Sequence, residues 1–252
     1  MSGAAPILEL QGMTRYFGGL AAVKDVSLTV PEGSIFGLIG PNGAGKTTLF
    51  SMVAGSLRPT AGRVIYRGRD ITRLRAYRRV RLGIARTHQI VRPFRSLSVL
   101  ENVEVAVRYG RRPPRSAAEA RARALEVLRF VGLEGQAGAP AAVLPVGQQK
   151  LLELARALAA GPDLLLCDEI CGGLTDAETR GVLELLRQVR AGGTTILYIE
   201  HDMRAVMSVC DRIAVLNFGQ KLAEGTPEEI QRNPAVIEAY LGRAAAGVKT
   251  GA

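Results

Sequence analysis

The chain has 252 residues and a formal charge of +10, with 47% hydrophobic, 22% charged and 5% aromatic residues, a size that suits one large domain or a domain carrying an inserted lobe. Its apolar runs are a few residues long, far short of the roughly 20 that span a bilayer, and residues 1–6 lack the basic-then-apolar pattern of a signal peptide. Three cysteines, two histidines and no paired C-x-x-C argue against a disulfide scaffold or a zinc site, and reduced thiols in a cytosolic protein are expected.

Residues 7–11 and 26–30 read as strands, the second closed by the turn at 31–33. Residues 34–39 (SIFGLI) are a short apolar run, expected as a buried strand. Glycine-rich residues 40–45 break it, and residues 46–55 then place Leu49, Phe50, Met52 and Val53 as a helix would. Strand character returns at 62–67. Helices are expected over 97–108 and 116–131, separated by the proline-broken R-R-P-P-R and followed by a loop at 135–143 rich in Gly, Ala and Pro. From there strands and helices alternate: helix 148–160, strand 164–167, helix 177–191, strand 194–199. Such alternation implies a parallel sheet. The expected architecture is a single α/β domain with a core at about 1–89 and 156–242, a helical lobe inserted at 90–155, and a frayed tail at 243–252.

Charge is concentrated. Residues 58–129 hold 19 Arg, no Lys and five acids, a local balance of +14 that leaves the rest at −4. Such a stretch could meet an anionic membrane surface or nucleic acid, or present solvated helix faces. Nucleic acid ranks last, because base stacking needs aromatics interleaved with basic residues and few occur here.

Gly40, Pro41, Asn42, Gly43, Ala44, Gly45, Lys46 and Thr47 match the phosphate-loop pattern G-x-x-x-x-G-K-[ST] without a mismatch. The loop follows an apolar strand and opens a helix, where backbone N–H groups and the helix dipole favour an anion. Lys46 is expected on the β- and γ-phosphates and the Thr47 hydroxyl on Mg²⁺. The apolar strand at 164–167 ends in Asp168 and Glu169. A carboxylate buried there needs a cation or a donor, so Asp168 is expected as a Mg²⁺ partner and Glu169 as the group that deprotonates water. His201 follows a third strand with only Glu200 between. Open α/β sheets bind ligands at the carboxyl ends of their strands, so these three segments are expected to converge.

With these motifs in order over nearly its whole length, the chain resembles the ATP-binding subunits of ABC transporters. The resemblance implies a P-loop NTPase core with a mainly parallel sheet, an antiparallel β arm and an inserted helical lobe. It extends the phosphate loop to Thr48 and assigns Gln89 to Mg²⁺, water and the sensing of membrane subunits. Metal ligation would thus fall to Thr47, Gln89 and Asp168. Leu144, Pro145, Val146, Gly147 and Gln148 occupy the signature that faces ATP on an opposite subunit. Asp176 matches the dimer-contact loop, His201 the histidine that reads the γ-phosphate, and Phe17 the aromatic that stacks on adenine, with Tyr16 as the alternative. The segments R-Y-F-G-G-L-A-A-V, P-V-G-Q-Q, I-E-H-D-M and N-P-A-V-I-E-A-Y-L-G are similar to the branched-chain amino acid importers.

The resemblance implies ATP and Mg²⁺ as cofactors and a second ATPase subunit, identical or a paralogue. It also implies two transmembrane permease subunits, a solute-binding protein acting through them, and a peripheral place at the cytoplasmic face of the cell membrane. A soluble ABC-type ATPase acting on nucleic acid or ribosomes is the alternative, and a binding-only regulatory subunit a third reading. The signature departs from the usual L-S-G-G-Q: Pro145 has neither hydroxyl nor N–H, and Val146 replaces a glycine. A proline at a helix start is tolerated, leaving the N–H groups of Val146, Gly147 and Gln148 for an anion. His88, Ile170 and Cys171 carry no functional assignment; His88 is expected to pack.

Overall fold

The computed structural model describes residues 6–89 and 93–247, the last seven as backbone. Residues 90–92, where the inserted lobe was expected to begin, lie outside the described residues, as do 1–5 and the tail residues 248–252. In chain order the strands and helices are β1 (Pro6–Phe17), β2 (Leu20–Pro31), β3 (Ile35–Ile39), α1 (Lys46–Ala54), β4 (Ala61–Tyr66), β5 (Arg69–Asp70), α2 (Ala76–Leu82) and β6 (Ile84–Arg86). There follow α3 (Val99–Tyr109), α4 (Ala117–Phe130), α5 (Val146–Ala159), β7 (Leu164–Asp168), α6 (Asp176–Ala191) and β8 (Thr195–Ile199). The chain ends with α7 (Met203–Val209), β9 (Arg212–Asn217), β10 (Gln220–Gly225), α8 (Pro227–Arg232) and α9 (Pro234–Gly247). It divides into two compact units, residues 74–196 and the flanking remainder, with the second crossing inside β8.

In the flanking unit, β1 and β2 pair antiparallel, with Leu8 opposite Val30 and Leu10 opposite Leu28. Strict alternation drives this pairing: Val26, Leu28 and Val30 are buried while Ser27 and Thr29 face out. β4 and β5 complete a four-stranded antiparallel sheet in the order β2-β1-β4-β5, which is the β arm the resemblance implied. β3 is buried at every residue. It pairs parallel with β9, Phe36 opposite Arg212 through Ile39 opposite Val215. Its run of apolar residues without alternation is that of a strand covered on both faces.

In residues 74–196, β6 and β7 pair parallel, Ile84 opposite Leu164 through Arg86 opposite Leu166. Here α3, α4 and α5 share a core of Val99, Val103, Val107, Ala124, Leu128, Leu152 and Ala155. Helix starts are chemically marked. Ser98 with Glu101 caps α3 and Thr175 with Glu178 caps α6, each side chain meeting the other residue's backbone N–H. The loop at 135–143 holds two short 3-10 turns, Glu134–Gln136 and Ala141–Val143.

Several elements have no counterpart in the sequence reading: α2, β5, β6 and everything from α7 to α9. α2 (A-Y-R-R-V-R-L) has too few apolar residues for a helical stripe, and Arg75 at its N-cap offers no side-chain cap. Its buried position is filled instead by Arg79, whose Nε donates to the Leu74 carbonyl at 3.0 Å, the aliphatic stem serving as core. The three cysteines are buried free thiols. Burial raises the Cys210 thiol well above its usual range. No helix among the described residues is long and apolar enough to cross a membrane.

Candidate functional site

The phosphate-loop residues lie in the flanking unit, between β3 and α1. A loop this tight needs glycine at its first position: Gly40 has φ +150°, and a Cβ there would overlap the Leu216 carbonyl of β9. Gly45, left-handed at φ +98°, sits at the N-cap of α1 with no side-chain cap. No serine or aspartate side chain caps this helix start, where the helix dipole favours an anion. Lys46, only 5% exposed, donates from Nζ to the carbonyls of Gly40 (2.6 Å) and Pro41 (3.1 Å). Thr47 is exposed and Thr48 half-buried, while Asn42 and Gly43 form the exposed crown and Pro41 and Ala44 are buried. The loop is tied from behind: the Gly219 N–H donates to the Ala44 carbonyl at 3.1 Å. Tyr240 of α9 also hydrogen-bonds the Gly40 backbone, and burial pushes its phenol up to about 12.

Phe17 and Tyr16 are exposed at the end of β1, with the Arg15 guanidinium 4.8 Å from the Phe17 ring centroid. His201 is exposed beyond β8, and its N–H donates to the buried Glu200 carboxylate at 3.2 Å. Asp202 then caps α7 by accepting the Arg204 N–H at 2.8 Å.

The other predicted residues lie within residues 74–196. β7 delivers Asp168 with 1% exposure. Its Oδ2 accepts from Arg86 Nη2 of β6 at 2.6 Å, and its N–H donates to Thr87 Oγ1 at 3.0 Å. Its Oδ1 is buried with no hydrogen-bond partner among the described residues, an orphaned anionic oxygen suited to a cation or its water. Glu169, also buried, has φ +47°. A left-handed glutamate costs roughly 1–2 kcal/mol, and such strain gathers where a side chain must be aimed. Gln89 donates from Nε2 to Glu169 Oε2, so the structure brings together the two residues assigned to water and its deprotonation.

Lys150, from α5, was not anticipated. It is buried, and its Nζ donates to the carbonyls of Gln89 (3.0 Å) and Glu169 (3.1 Å). Arg86 and Thr87 were not anticipated either. The signal for Lys150 was its position: residues 150, 153, 154 and 157 form the buried stripe of α5, and two of them, Lys150 and Glu153, are charged. Glu153 holds His88, whose Nδ1 lies 2.9 Å from Oε1, while Oε2 accepts from Arg156 at 2.9 Å. His88 is thus an exposed ring paired with a buried carboxylate rather than a packing residue. A groove of about 220 Å³ beside it is lined by Phe94, Tyr109 and Arg156 among others.

The signature residues open α5 as expected of a proline start. Pro145 is the N-cap (φ −56°, ψ 157°) and Val146 the first helical residue, two positions earlier than the spacing predicted. Leu144 is buried while Pro145 and Val146 are exposed, and Gly147 and Gln148 are half-buried. Gly147 is fixed by close approach, since a Cβ there would collide with Glu178 Oε1. Asp176 is the exposed first residue of α6, where a carboxylate favours the helix dipole. No cluster of three or more His, Cys, Asp or Glu able to hold a metal occurs among the described residues.

Residues 23–172 match the ABC transporter family, and residues 220–246 match the family described as branched-chain amino acid ATP-binding cassette transporter. The chain is 44% identical to the high-affinity branched-chain amino acid transport ATP-binding protein LivG of Salmonella typhimurium, covering 95% of this chain and 99% of that one. It is 42% identical to BraF of Pseudomonas aeruginosa, with the same coverage. Among solved structures it is similar to MJ1267, an ATP-binding cassette of an ABC transporter in its ADP conformation, with TM-score 0.86, 30% identity, and coverage of 95% and 100%.

Proposed function

The chain belongs to the ABC transporter family, and from that premise we propose that it is the ATP-hydrolysing subunit of an importer for branched-chain amino acids. The observation that carries the substrate class is the match of residues 220–246, added to relatives named for that transport. The importer would couple two such ATPase subunits to two permease subunits, with a solute-binding protein delivering cargo.

In this reading Phe17 stacks on adenine, and residues 40–48 bind the phosphates. Lys46 exchanges the Gly40 and Pro41 carbonyls for phosphate oxygens, and the start of α1, with no side-chain cap, completes the cradle. Mg²⁺ would be held by Thr47, Gln89 and Asp168, a role that the orphaned Asp168 Oδ1 fits, and would supply positive charge against the phosphates. Glu169 accepts a proton from water as the water oxygen bonds to the γ-phosphorus. The bond from that phosphorus to the bridging oxygen breaks, leaving ADP and phosphate. His201 contacts the γ-phosphate, and Leu144, Pro145, Val146, Gly147 and Gln148 address ATP on the opposite subunit, with Asp176 at the dimer contact. Permease contact falls at the groove beside His88 and Phe94, next to Gln89.

The test is ATP-driven uptake by proteoliposomes holding the purified transporter complex. Leucine, isoleucine and valine are expected to accumulate and to compete with one another. Uptake of none of the three, with ATP hydrolysis intact, would overturn the substrate class.

The basic surface supports a peripheral place at the membrane. No acid occurs between Asp70 and Glu101. At and on α2, the N-cap Arg75 and the helical Arg78 and Arg81 are exposed around Tyr77, which is 53% exposed. A hydrogen bond from Arg78, with Arg75 and Arg81 close by, holds the Tyr77 phenol below its usual value. By contrast Arg111 is ion-paired with Asp163, and Arg123 donates to the Arg112 carbonyl, so the 111–115 segment is the more occupied part of the basic stretch. Reversing Arg75, Arg78 and Arg81 to Glu is expected to weaken sedimentation with anionic phospholipid vesicles about 100-fold, at roughly 1 kcal/mol per basic residue. Neutral vesicles should bind neither protein. Equal binding of both proteins to anionic vesicles would remove α2 from the contact, and salt-steep binding to duplex RNA would point to nucleic acid instead.

A further inference from the structure

We infer that Lys150 is a positioning residue that locks the attacking-water machinery of this subunit to the helix that begins with its signature. The inference rests on the ATPase reading of Gln89 and Glu169 and goes beyond it to a residue that takes no part in binding or chemistry.

The geometry is a closed ring. Gln89 Nε2 donates to the Glu169 carboxylate, and Lys150 Nζ donates to the backbone carbonyls of both residues, at 3.0 and 3.1 Å. Side chains and main chains of the pair are therefore fixed together through one ammonium. Lys150 is only 7% exposed, and an ammonium taken out of water is costly unless its protons are used. Two neutral carbonyls satisfy protons without neutralising the charge. They offer a positional contact, not an ion pair, and a plain core side chain would pack there at less cost. The carbonyls chosen are also telling. Glu169 holds a left-handed backbone, φ +47°, and the Lys150 contact falls on the carbonyl of that strained residue, the same oxygen that accepts the Gly172 N–H at 3.4 Å. A shift of this carbonyl would re-aim the Glu169 side chain.

Lys150 stands one turn after Val146, at the start of α5. Any movement that releases or tightens Gln89 and Glu169 pulls on that first turn through a single rigid contact. The signature offered to the opposite ATP thus follows the state of the subunit's own water site. Such a link gives two ATP sites a physical route to positive cooperativity, each signature reporting on the site beside it.

The test compares Lys150→Met and Lys150→Arg with wild type in two measurements. The first is hydrogen exchange in the nucleotide-free protein. Lys150→Met is expected to speed exchange about tenfold in peptides covering Gln89 and 169–172, and to leave α1 unchanged. The second is ATP hydrolysis over a range of ATP concentration. Lys150→Met should lower kcat about 10- to 100-fold, the scale of a misplaced reacting group, with KM within about threefold of wild type and its cooperativity in ATP lost. Lys150→Arg, which keeps charge and donors, should recover much of both. Unchanged exchange at Gln89 and 169–172 overturns the proposal whether or not the protein hydrolyses ATP. So does a uniform rise in exchange across all of residues 74–196 that Arg does not rescue, which marks a merely structural residue. Local exchange changes in a chain without any ATPase activity would instead retain the ring and sink the ATPase reading.

Discussion

Glu169→Gln is expected to slow ATP hydrolysis by about 10²–10⁴, the usual cost of losing a general base, while ATP binding persists. The substitution keeps volume and shape at a buried position, and the amide oxygen can still accept from Gln89 Nε2. What disappears is the carboxylate able to take the proton of the attacking water. Steady-state phosphate release by the two proteins measures the rate, and size-exclusion chromatography with ATP measures assembly. The variant should collect as an ATP-bound dimer that wild type dissolves by turnover. Equal rates would place the base on another residue. If wild type binds ATP yet neither hydrolyses nor dimerises by itself, the working unit requires a paralogous ATPase or the permeases.

Arg86→Ala is expected to have the largest effect on stability, about 3 kcal/mol, the lower end of the cost of stranding one member of a buried ion pair. The lower end applies because Arg86 retains 13% exposure, whereas Asp168 has 1%. With the guanidinium gone, Asp168 Oδ2 loses a 2.6 Å partner while Oδ1 already has none among the described residues. The urea midpoint reads this directly. Adding Asp168→Asn should return a large part of the loss, because the stranded charge is then gone as well. A double variant no more stable than Arg86→Ala would show that the two charges are not coupled.

How much of this was legible in the sequence differs residue by residue. The phosphate loop could be read because glycine at 40 and 45 and lysine at 46 answer to backbone geometry and phosphate charge, both local matters. β3 and β7 could be read because strands buried on both faces are short unbroken apolar runs. The partners of Lys150 and Arg86 could not, since they lie 61 and 82 residues away and no local pattern encodes that distance, although the place of Lys150 on the buried stripe of α5 marked the residue itself. α2 was invisible for a related reason: an arginine fills the place of an apolar residue at 79. His88 was misread because its partner Glu153 sits 65 residues further on. α7 and α8 were missed because they are only seven and six residues long, and a cap such as Thr226 with Glu229 is a signal only once a helix is suspected.

The contact between Gly147 and Glu178 has a consequence for how this protein can change over generations. The glycine lies in the signature, and the glutamate closes the capping box of the helix that Asp176 begins. A side chain at 147 would meet Glu178 Oε1, while Oε2 of the same carboxylate accepts from Thr175, so the carboxylate must turn to make room. A shorter residue at 178 would make room, at the expense of the cap. The two positions are therefore linked in their history: a side chain at 147 is accommodated by swinging the flexible end of Glu178 aside, which loosens the cap at Thr175, so change at one site alters what the other can hold.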